Sequence, residues 1–231
     1  MWQDLKDRIY NLRRRLFGRY ELDDPRPIRE SAPYTYYLPS DERLNAAGPG
    51  DHVQLLFRSI PPGVQYGTER MWVEVLSVTD NTLAGKLLNK PFDMPQVKEG
   101  AQVHFQRFHM IGVRSDRPLP EDPPLRDYWD RCMVDQCVLD KSEQVYYIYR
   151  EEPDLVEDDE EYSDSGWRIR GDYRHINDEE LHSRKVAYVA LGAVLNADDS
   201  WLQLIDAPVG TAFIRNFESG EYEPYDRRLE E

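Results

Sequence analysis

The sequence predicts an α+β protein with an N-terminal helix, a small β-rich domain and a second, α+β domain. Three observations support this prediction. An apolar stripe recurs at helical spacing near the N-terminus, short β-prone runs alternate with turn residues in the first half, and strand and helix signals are mixed in the second half. We expect residues 117–125 to link the halves, because four prolines within residues 117–124 exclude a regular helix or strand.

The N-terminal segment, residues 1–22, has the pattern of a basic amphipathic helix. Its apolar side chains recur at helical spacing, at Trp2, Leu5, Ile9, Leu12 and Leu16. Its cations are Lys6, Arg8, Arg13, Arg14, Arg15 and Arg19. The segment lacks the uninterrupted apolar stretch of a secretory signal. We expect the helix to pack on its own protein or to form a loosely attached arm. Contact of residues 1–20 with a membrane, or with nucleic acid, is a weaker alternative.

Residues 33–116 carry the strand signals of a small, mostly antiparallel β domain. Apolar and other side chains alternate along Met71–Val78, and Thr79–Thr82 predicts a hairpin turn to a return strand. The expected strands cover residues 52–60, 71–78, 83–88 and 101–110. Short strands at this spacing predict a small twisted sheet or a partly closed barrel.

A second domain is predicted at residues 126–218, followed by a polar tail at 219–231. We expect it to combine a short antiparallel sheet with one main helix. The expected strands lie within residues 131–139, 145–149, 167–171, 201–205 and 211–215. Acidic residues that suit a helix N-terminus predict that the main helix begins at Asp178–Leu181, and the apolar run at residues 186–195 is interpreted as its continuation.

The net charge of −15 comes entirely from the second half of the chain. Residues 1–125 hold 17 basic and 17 acidic side chains, whereas residues 126–231 hold 12 and 27. The densest stretch is Glu151–Asp164, with nine acidic residues and no basic one. Such a stretch repels itself and buries little apolar surface, so it predicts either a solvated loop or a contact surface for a basic partner.

The residue patterns argue against an enzyme or a metal site. Cys132 and Cys137 are too few for a disulfide framework and predict reduced thiols in a cytoplasmic protein. Residues 157–161 lack the glycine and the spaced oxygen ligands of a calcium loop. Ser165 is not part of a nucleophile elbow, and the chain has no phosphate-binding glycine loop. We therefore expect no catalytic activity, no cofactor and no metal.

Two motifs in the second half carry a family resemblance. One is Asp164-Ser165-Gly166-Trp167-Arg168, and the other runs from Ala207 to Arg215. Through them residues 164–215 resemble immunity protein family thirty-three of bacterial polymorphic toxin systems, and the strands at Cys132 and at Val145–Glu152 also fit that family. Residues 33–113 resemble a small bacterial domain of unknown function that often accompanies it. That second resemblance rests on Gly50-Asp51-His52-Val53, Glu69–Val75 and Gly85–Pro91.

The resemblance implies a non-catalytic immunity protein that binds a cognate toxin and blocks it by stoichiometric occlusion. We expect the toxin to present a basic surface. The candidate toxin-binding residues are Glu157, Asp158, Asp159, Glu160, Glu161, Asp164 and Trp167. For Gly166 and Trp167 the alternative interpretation is a turn glycine beside a buried tryptophan. The competing functional hypothesis is a housekeeping module that binds another cellular protein or a small ligand. The oligomeric state is left open.

Overall fold

The chain folds into two units and has an α+β fold. The structure, a computed structural model, describes residues 2–154 and 161–226 of the 231-residue chain. The first unit contains Met1–Glu30 and Tyr37–Pro124, and the second contains Ser31–Tyr36 and Leu125–Glu231. Each unit has its own strands, short helices and hydrophobic core.

The first unit is built on a six-stranded antiparallel sheet. Its strands are β1 (Arg19–Leu22), β2 (His52–Ile60), β3 (Thr68–Thr79), β4 (Thr82–Leu87), β5 (Gln102–Gln106) and β6 (Met110–Arg114). Its helices are α1 (Trp2–Phe17), α2 (Arg26–Ser31) and α3 (Asp41–Ala46). The strand order is β1-β2-β3-β4-β5, and β6 also pairs with β2. The sheet therefore curves back so that its last strand returns to β2.

Alternating side chains build the core of the first unit, as the sequence predicted. Val73 and Val75 of β3 are fully buried, and the strand turns at Asp80, whose φ of 54° is left-handed, into β4. This confirms the predicted strands and hairpin turn. The predicted strand at residues 101–110 is interrupted, because a 3₁₀ turn at Arg107–His109 separates β5 from β6.

Helix α1 packs on the first unit through an arginine instead of through its apolar stripe. The Arg14 side chain is 0% exposed and donates hydrogen bonds to Asp93 Oδ1 at 2.8 Å, to Ser59 Oγ at 3.0 Å and to the Asp93 carbonyl. Burial alone would raise the pKa of Asp93. Hydrogen bonds from Arg14 and from the Gln65 and Tyr66 amides outweigh that burial and lower the pKa. The helix is thus fixed by a buried ion pair.

The second unit contains a six-stranded mixed sheet. Its strands are β7 (Arg131–Asp135), β8 (Val145–Arg150), β9 (Asp164–Gly171), β10 (Val186–Ala190), β11 (Ala212–Arg215) and β12 (Tyr222–Pro224). Its helices within the described part of the chain are α4 (Gln136–Leu139), α5 (Asp178–Ser183) and α6 (Leu191–Leu195). The strand order is β10-β7-β9-β8-β11-β12, in which β7 and β9 are parallel and the other pairs are antiparallel.

Three predictions for this unit are wrong. The sheet is not entirely antiparallel, and residues 186–195 are not one main helix, because β10 pairs with β7 before the short α6 begins. A continuous apolar run has no period that distinguishes a buried strand from a buried helix. The predicted strand at 201–205 is a 3₁₀ turn at Leu202–Leu204, which follows the fully buried Trp201.

Candidate functional site

The acidic segment connects the neighbouring strands β8 and β9 at one end of the second unit's sheet. Its described carboxylates on the two sides of the connection are Glu151, Glu152, Asp154, Glu161 and Asp164. The candidate residues Glu157, Asp158, Asp159 and Glu160 lie outside the described residues. Glu161 is described and exposed. The structure therefore places the ends of the segment, and these ends define a site.

Two other segments meet the acidic segment at the same end of the sheet. Because β7 is parallel to β9, the start of β7 lies beside Asp164, and the Arg131 amide donates to the Ser163 carbonyl at 2.8 Å. The loop before β11 joins them, since the Gly210 amide donates to the Arg150 carbonyl at 2.7 Å. We call this region the acidic end. Its exposed carboxylates are Asp127, Asp130, Glu152, Asp154, Glu161 and Asp206.

Arg168 ties the two sides of the acidic segment together. It donates to both carboxylate oxygens of Asp164 at 2.9 Å, to Glu151 at 2.5 Å and to Asp154 at 3.2 Å. The side chains of Arg168 and Asp164 are only 5% and 1% exposed. Hydrogen bonding to Asp164, and then to Glu151, raises the pKa of Arg168. One guanidinium faces three carboxylates, so the cluster remains negative while its innermost carboxylate is neutralised.

The rest of the Asp164–Arg168 motif shapes the start of β9. Asp164 accepts a hydrogen bond from the Gly166 amide at 3.0 Å, and the Ser165 hydroxyl donates to the Arg131 carbonyl at 2.6 Å. Gly166 has a φ of +79°, a left-handed conformation that favours glycine. The indole N–H of Trp167 donates to the Ile205 carbonyl at 3.2 Å. Each member of the motif thus helps to hold the base of the acidic segment.

A comparison with known families found a match within the second unit. Residues 132–226 match the family model described as the Immunity protein Imm33 domain. The second unit contains an Imm33 domain. The matched residues include all six strands of its sheet apart from the first residue of β7, and they include the complete motif around Arg168. The resemblance predicted for the second half is therefore confirmed, whereas that of residues 33–113 stays a prediction. No curated protein and no solved structure was found to match the chain.

Two of the candidate contact residues, Asp164 and Trp167, are buried. Trp167 is 0% exposed and packs edge-on against Trp201, with ring centroids 5.6 Å apart. Asp164 is enclosed by its contacts with Arg168 and Gly166. Both side chains are buried in this conformation, so both residues support the base of the acidic segment from inside the domain. Their direct contact with a toxin stays a prediction.

The glycines of the Imm33 domain offer a test of how tightly the segment's base is packed. A Cβ on Gly166 would lie 2.1 Å from the Glu151 carbonyl oxygen, whereas a Cβ on Gly210, also left-handed at φ +90°, would meet no heavy atom within 4 Å. We expect Gly210→Ala to lower the free energy of unfolding by roughly 1–2 kcal/mol and Gly166→Ala by about 3 kcal/mol or more. Urea denaturation measures both. Equal losses would contradict the close packing.

Sequence reasoning missed three residues that the fold brings to the acidic end. Trp129 is half-buried, and its ring lies 6.0 Å from the ring of Tyr162. Val209, in the loop before β11, is 40% exposed. Trp129 is far from Tyr162 in the sequence, and only the parallel pairing of β7 with β9 joins them. Only a prediction that β7 and β9 are parallel would bring these two residues together, whereas the sequence predicts an antiparallel sheet.

Three further features of the described residues concern thiols, metal-ligating groups and helix length. Cys132 and Cys137 are free, and burial raises the pKa of both thiols. Within residues 2–154 and 161–226, no group of three or more His, Cys, Asp or Glu side chains is arranged to hold a metal ion. No helix in these same ranges is long and apolar enough to cross a bilayer.

Proposed function

We propose that this protein is an immunity protein that binds a cognate toxin and blocks it by stoichiometric occlusion. The observation that carries the proposal is the Imm33 domain at residues 132–226, whose family description indicates a toxin-immunity role. Action in the cytoplasm, without catalysis and without a cofactor, belongs to the same proposal. The toxin would be recognised through a basic surface.

The acidic end of the second unit's sheet is the proposed contact surface. Its described, exposed side chains carry six carboxylates, and the nearby Arg126 is already paired with Asp206 at 2.7 Å. A surface of one charge steers an oppositely charged partner and accelerates association. Trp129, Tyr162 and Val209 supply aromatic and apolar groups of the kind that anchor protein interfaces. We include Glu157–Glu161 in this surface by sequence.

Arg168 gives the proposed surface a fixed base. Its hydrogen bonds hold Glu151 and Asp154 at the start of the acidic segment and Asp164 at its end. A loop whose ends are already held loses less conformational freedom when it binds than a loop with free ends. The supporting residues and the contacting residues therefore have separate roles. The first set is built into the fold, while the second can differ between proteins that face different toxins.

The proposal predicts a charge-dependent association rate. We expect the variant Asp158→Asn/Asp159→Asn/Glu160→Gln/Glu161→Gln to associate with a candidate toxin domain about tenfold more slowly at low salt than the unmodified protein does. The reason is the loss of four negative charges from the steering surface. Surface plasmon resonance at several salt concentrations measures the rate, and growth rescue of toxin-expressing cells measures protection.

A matched control removes the same charge from the other end of the sheet. The exposed carboxylates Asp178, Glu179, Glu218 and Glu221 follow the ends of β9 and β11 that lie away from the acidic end. Replacing them with the corresponding amides should leave the association rate within about twofold of the unmodified protein. An unchanged rate in the first variant, with unchanged protection, would remove the acidic end from the mechanism. No binding by the unmodified protein would reject this toxin as the cognate partner.

One observation favours the competing hypothesis of a ligand-binding module. The first unit has a cavity of about 460 Å³ whose lining includes Lys90, Phe92, Met94 and Lys98. This volume lies within the range that small-molecule sites occupy. If the protein is a ligand-binding module and not an immunity protein, the unmodified protein should give no growth rescue against any candidate toxin domain. Growth rescue by the unmodified protein therefore discriminates between the two hypotheses.

A further inference from the structure

Helix α1 presents an apolar stripe that its own unit leaves exposed. The side chains of the stripe, which are between 53% and 81% exposed, are Trp2, Leu5, Ile9, Leu12 and Leu16. The helix is instead fixed by Arg14, which is fully buried against Asp93. At 3.6 residues per turn the stripe lies on the side of the helix opposite Arg14. The sequence predicts either packing of this helix on its own protein or a loosely attached arm, and in the structure the stripe faces away from the unit that holds the helix.

The charges around the stripe are sorted by side. Exposed cations border it on both flanks, Lys6 and Arg13 on one and Arg8 and Arg15 on the other. The acidic residues of α1, Asp4 and Asp7, lie on the side of Arg14 instead. An apolar face flanked by cations, with a tryptophan at one end, is the pattern of a helix that lies in a membrane interface.

The cations on both flanks of the stripe favour one of its possible partners over the others. A second copy of α1 would bring cations against cations along the whole stripe, which costs free energy. A toxin with a basic surface would be repelled by the same side chains. An anionic bilayer accepts both features, since the stripe enters the acyl boundary and the cations reach the lipid phosphates. The net charge of −15 opposes binding, but at physiological salt its repulsion is screened beyond about 8 Å.

We propose that α1 binds the surface of an anionic membrane and holds the protein there peripherally. The inference rests on the exposed stripe, its cationic flanks and the buried Arg14 anchor, and it does not depend on toxin binding. The protein would then carry its Imm33 domain at a membrane surface. Because Arg14 fixes the helix before binding, α1 would not need to fold on the lipid, which reduces the ordering cost.

Flotation of the full-length protein with vesicles tests the proposal. We expect binding to vesicles of phosphatidylcholine mixed with phosphatidylglycerol and little binding to vesicles of phosphatidylcholine alone. Ile9→Glu/Leu12→Glu should weaken binding by roughly a hundredfold, because it places two charges in the apolar stripe. Lys6→Gln/Arg8→Gln/Arg13→Gln/Arg15→Gln should remove the preference for anionic vesicles. Val64→Glu/Leu76→Glu, which alters exposed apolar residues of the same unit outside α1, should bind like the unmodified protein.

Each alternative gives a distinct result. Failure of the unmodified protein to float with the mixed vesicles overturns the proposal, as does equal flotation of the Ile9→Glu/Leu12→Glu variant. If light scattering shows a dimer that this variant converts to a monomer, and neither form binds vesicles, a second copy covers the stripe. Circular dichroism confirms that the variants fold, and toxin rescue is measured separately, so loss of lipid binding is distinguishable from loss of immunity.

Discussion

Replacing Arg168 with alanine is expected to lower the free energy of unfolding of the Imm33 domain by about 3–5 kcal/mol. Without the guanidinium, Asp164 remains as a carboxylate that is 1% exposed and has lost both of its charge-assisted hydrogen bonds. Glu151 and Asp154 then repel Asp164 without a cation between them. Chemical denaturation followed by circular dichroism measures the loss.

Two further variants isolate the cause of this effect. Arg126→Ala removes an arginine that also forms two hydrogen bonds to one carboxylate, that of Asp206, but both side chains are more than half exposed, so a loss below about 1 kcal/mol is expected. The double variant Asp164→Ala/Arg168→Ala should lose less than the sum of its single variants, with a coupling of about 1–3 kcal/mol. Additive losses, or equal losses for Arg126 and Arg168, would show that the buried pair is not the source of stability.

The Arg168 network also separates support from recognition in the proposed mechanism. At a temperature where Arg168→Ala is still folded, the side-chain hydrogen bonds of Arg168 no longer join the two sides of the acidic segment, although every exposed carboxylate is still present. Weaker toxin binding by this variant would therefore come from lost ordering of the surface and not from lost charge. The variant that neutralises residues 158–161 instead removes negative charge from the contact surface and leaves the Arg168 hydrogen bonds in place.

The sequence predicted well those elements whose signals are local. The alternation of Val73 and Val75 along β3 and the turn at Asp80 were sufficient to place a hairpin. The helical period of α1 was also correct, and the family resemblance identified the Imm33 domain. In each case neighbouring residues in the chain carry the whole signal, so no distant partner is required to interpret it.

The errors occur where a distant partner decides the structure. Residues 186–190 form a strand because β7 is available to pair with them, and nothing in the run itself indicates that pairing. The acidic end exists because β7 and β9 are parallel, which brings Trp129 beside Tyr162. Likewise the helical period of α1 does not tell which side of the helix packs, because that side is decided by the buried pair of Arg14 with Asp93, far along the chain.

Trp167→Ala is expected to lower the free energy of unfolding by about 3–5 kcal/mol, an effect as large as that of Arg168→Ala. The indole is 0% exposed, stacks edge-on with Trp201 and donates to the Ile205 carbonyl, so truncation opens a cavity and leaves that carbonyl without its donor. Chemical denaturation measures the loss, and toxin affinity is measured at a temperature where the variant remains folded.

Trp129→Ala provides the comparison, since Trp129 lies half-buried at the acidic end, where its ring contacts that of Tyr162. We expect this variant to lose about 1 kcal/mol of stability or less, and to lose more toxin affinity than Trp167→Ala. The two tryptophans would then have separate roles, since Trp167 stabilises the base of the acidic segment and Trp129 contacts the toxin. If Trp167→Ala is stable yet cannot bind toxin, Trp167 contacts the toxin directly and this division is wrong.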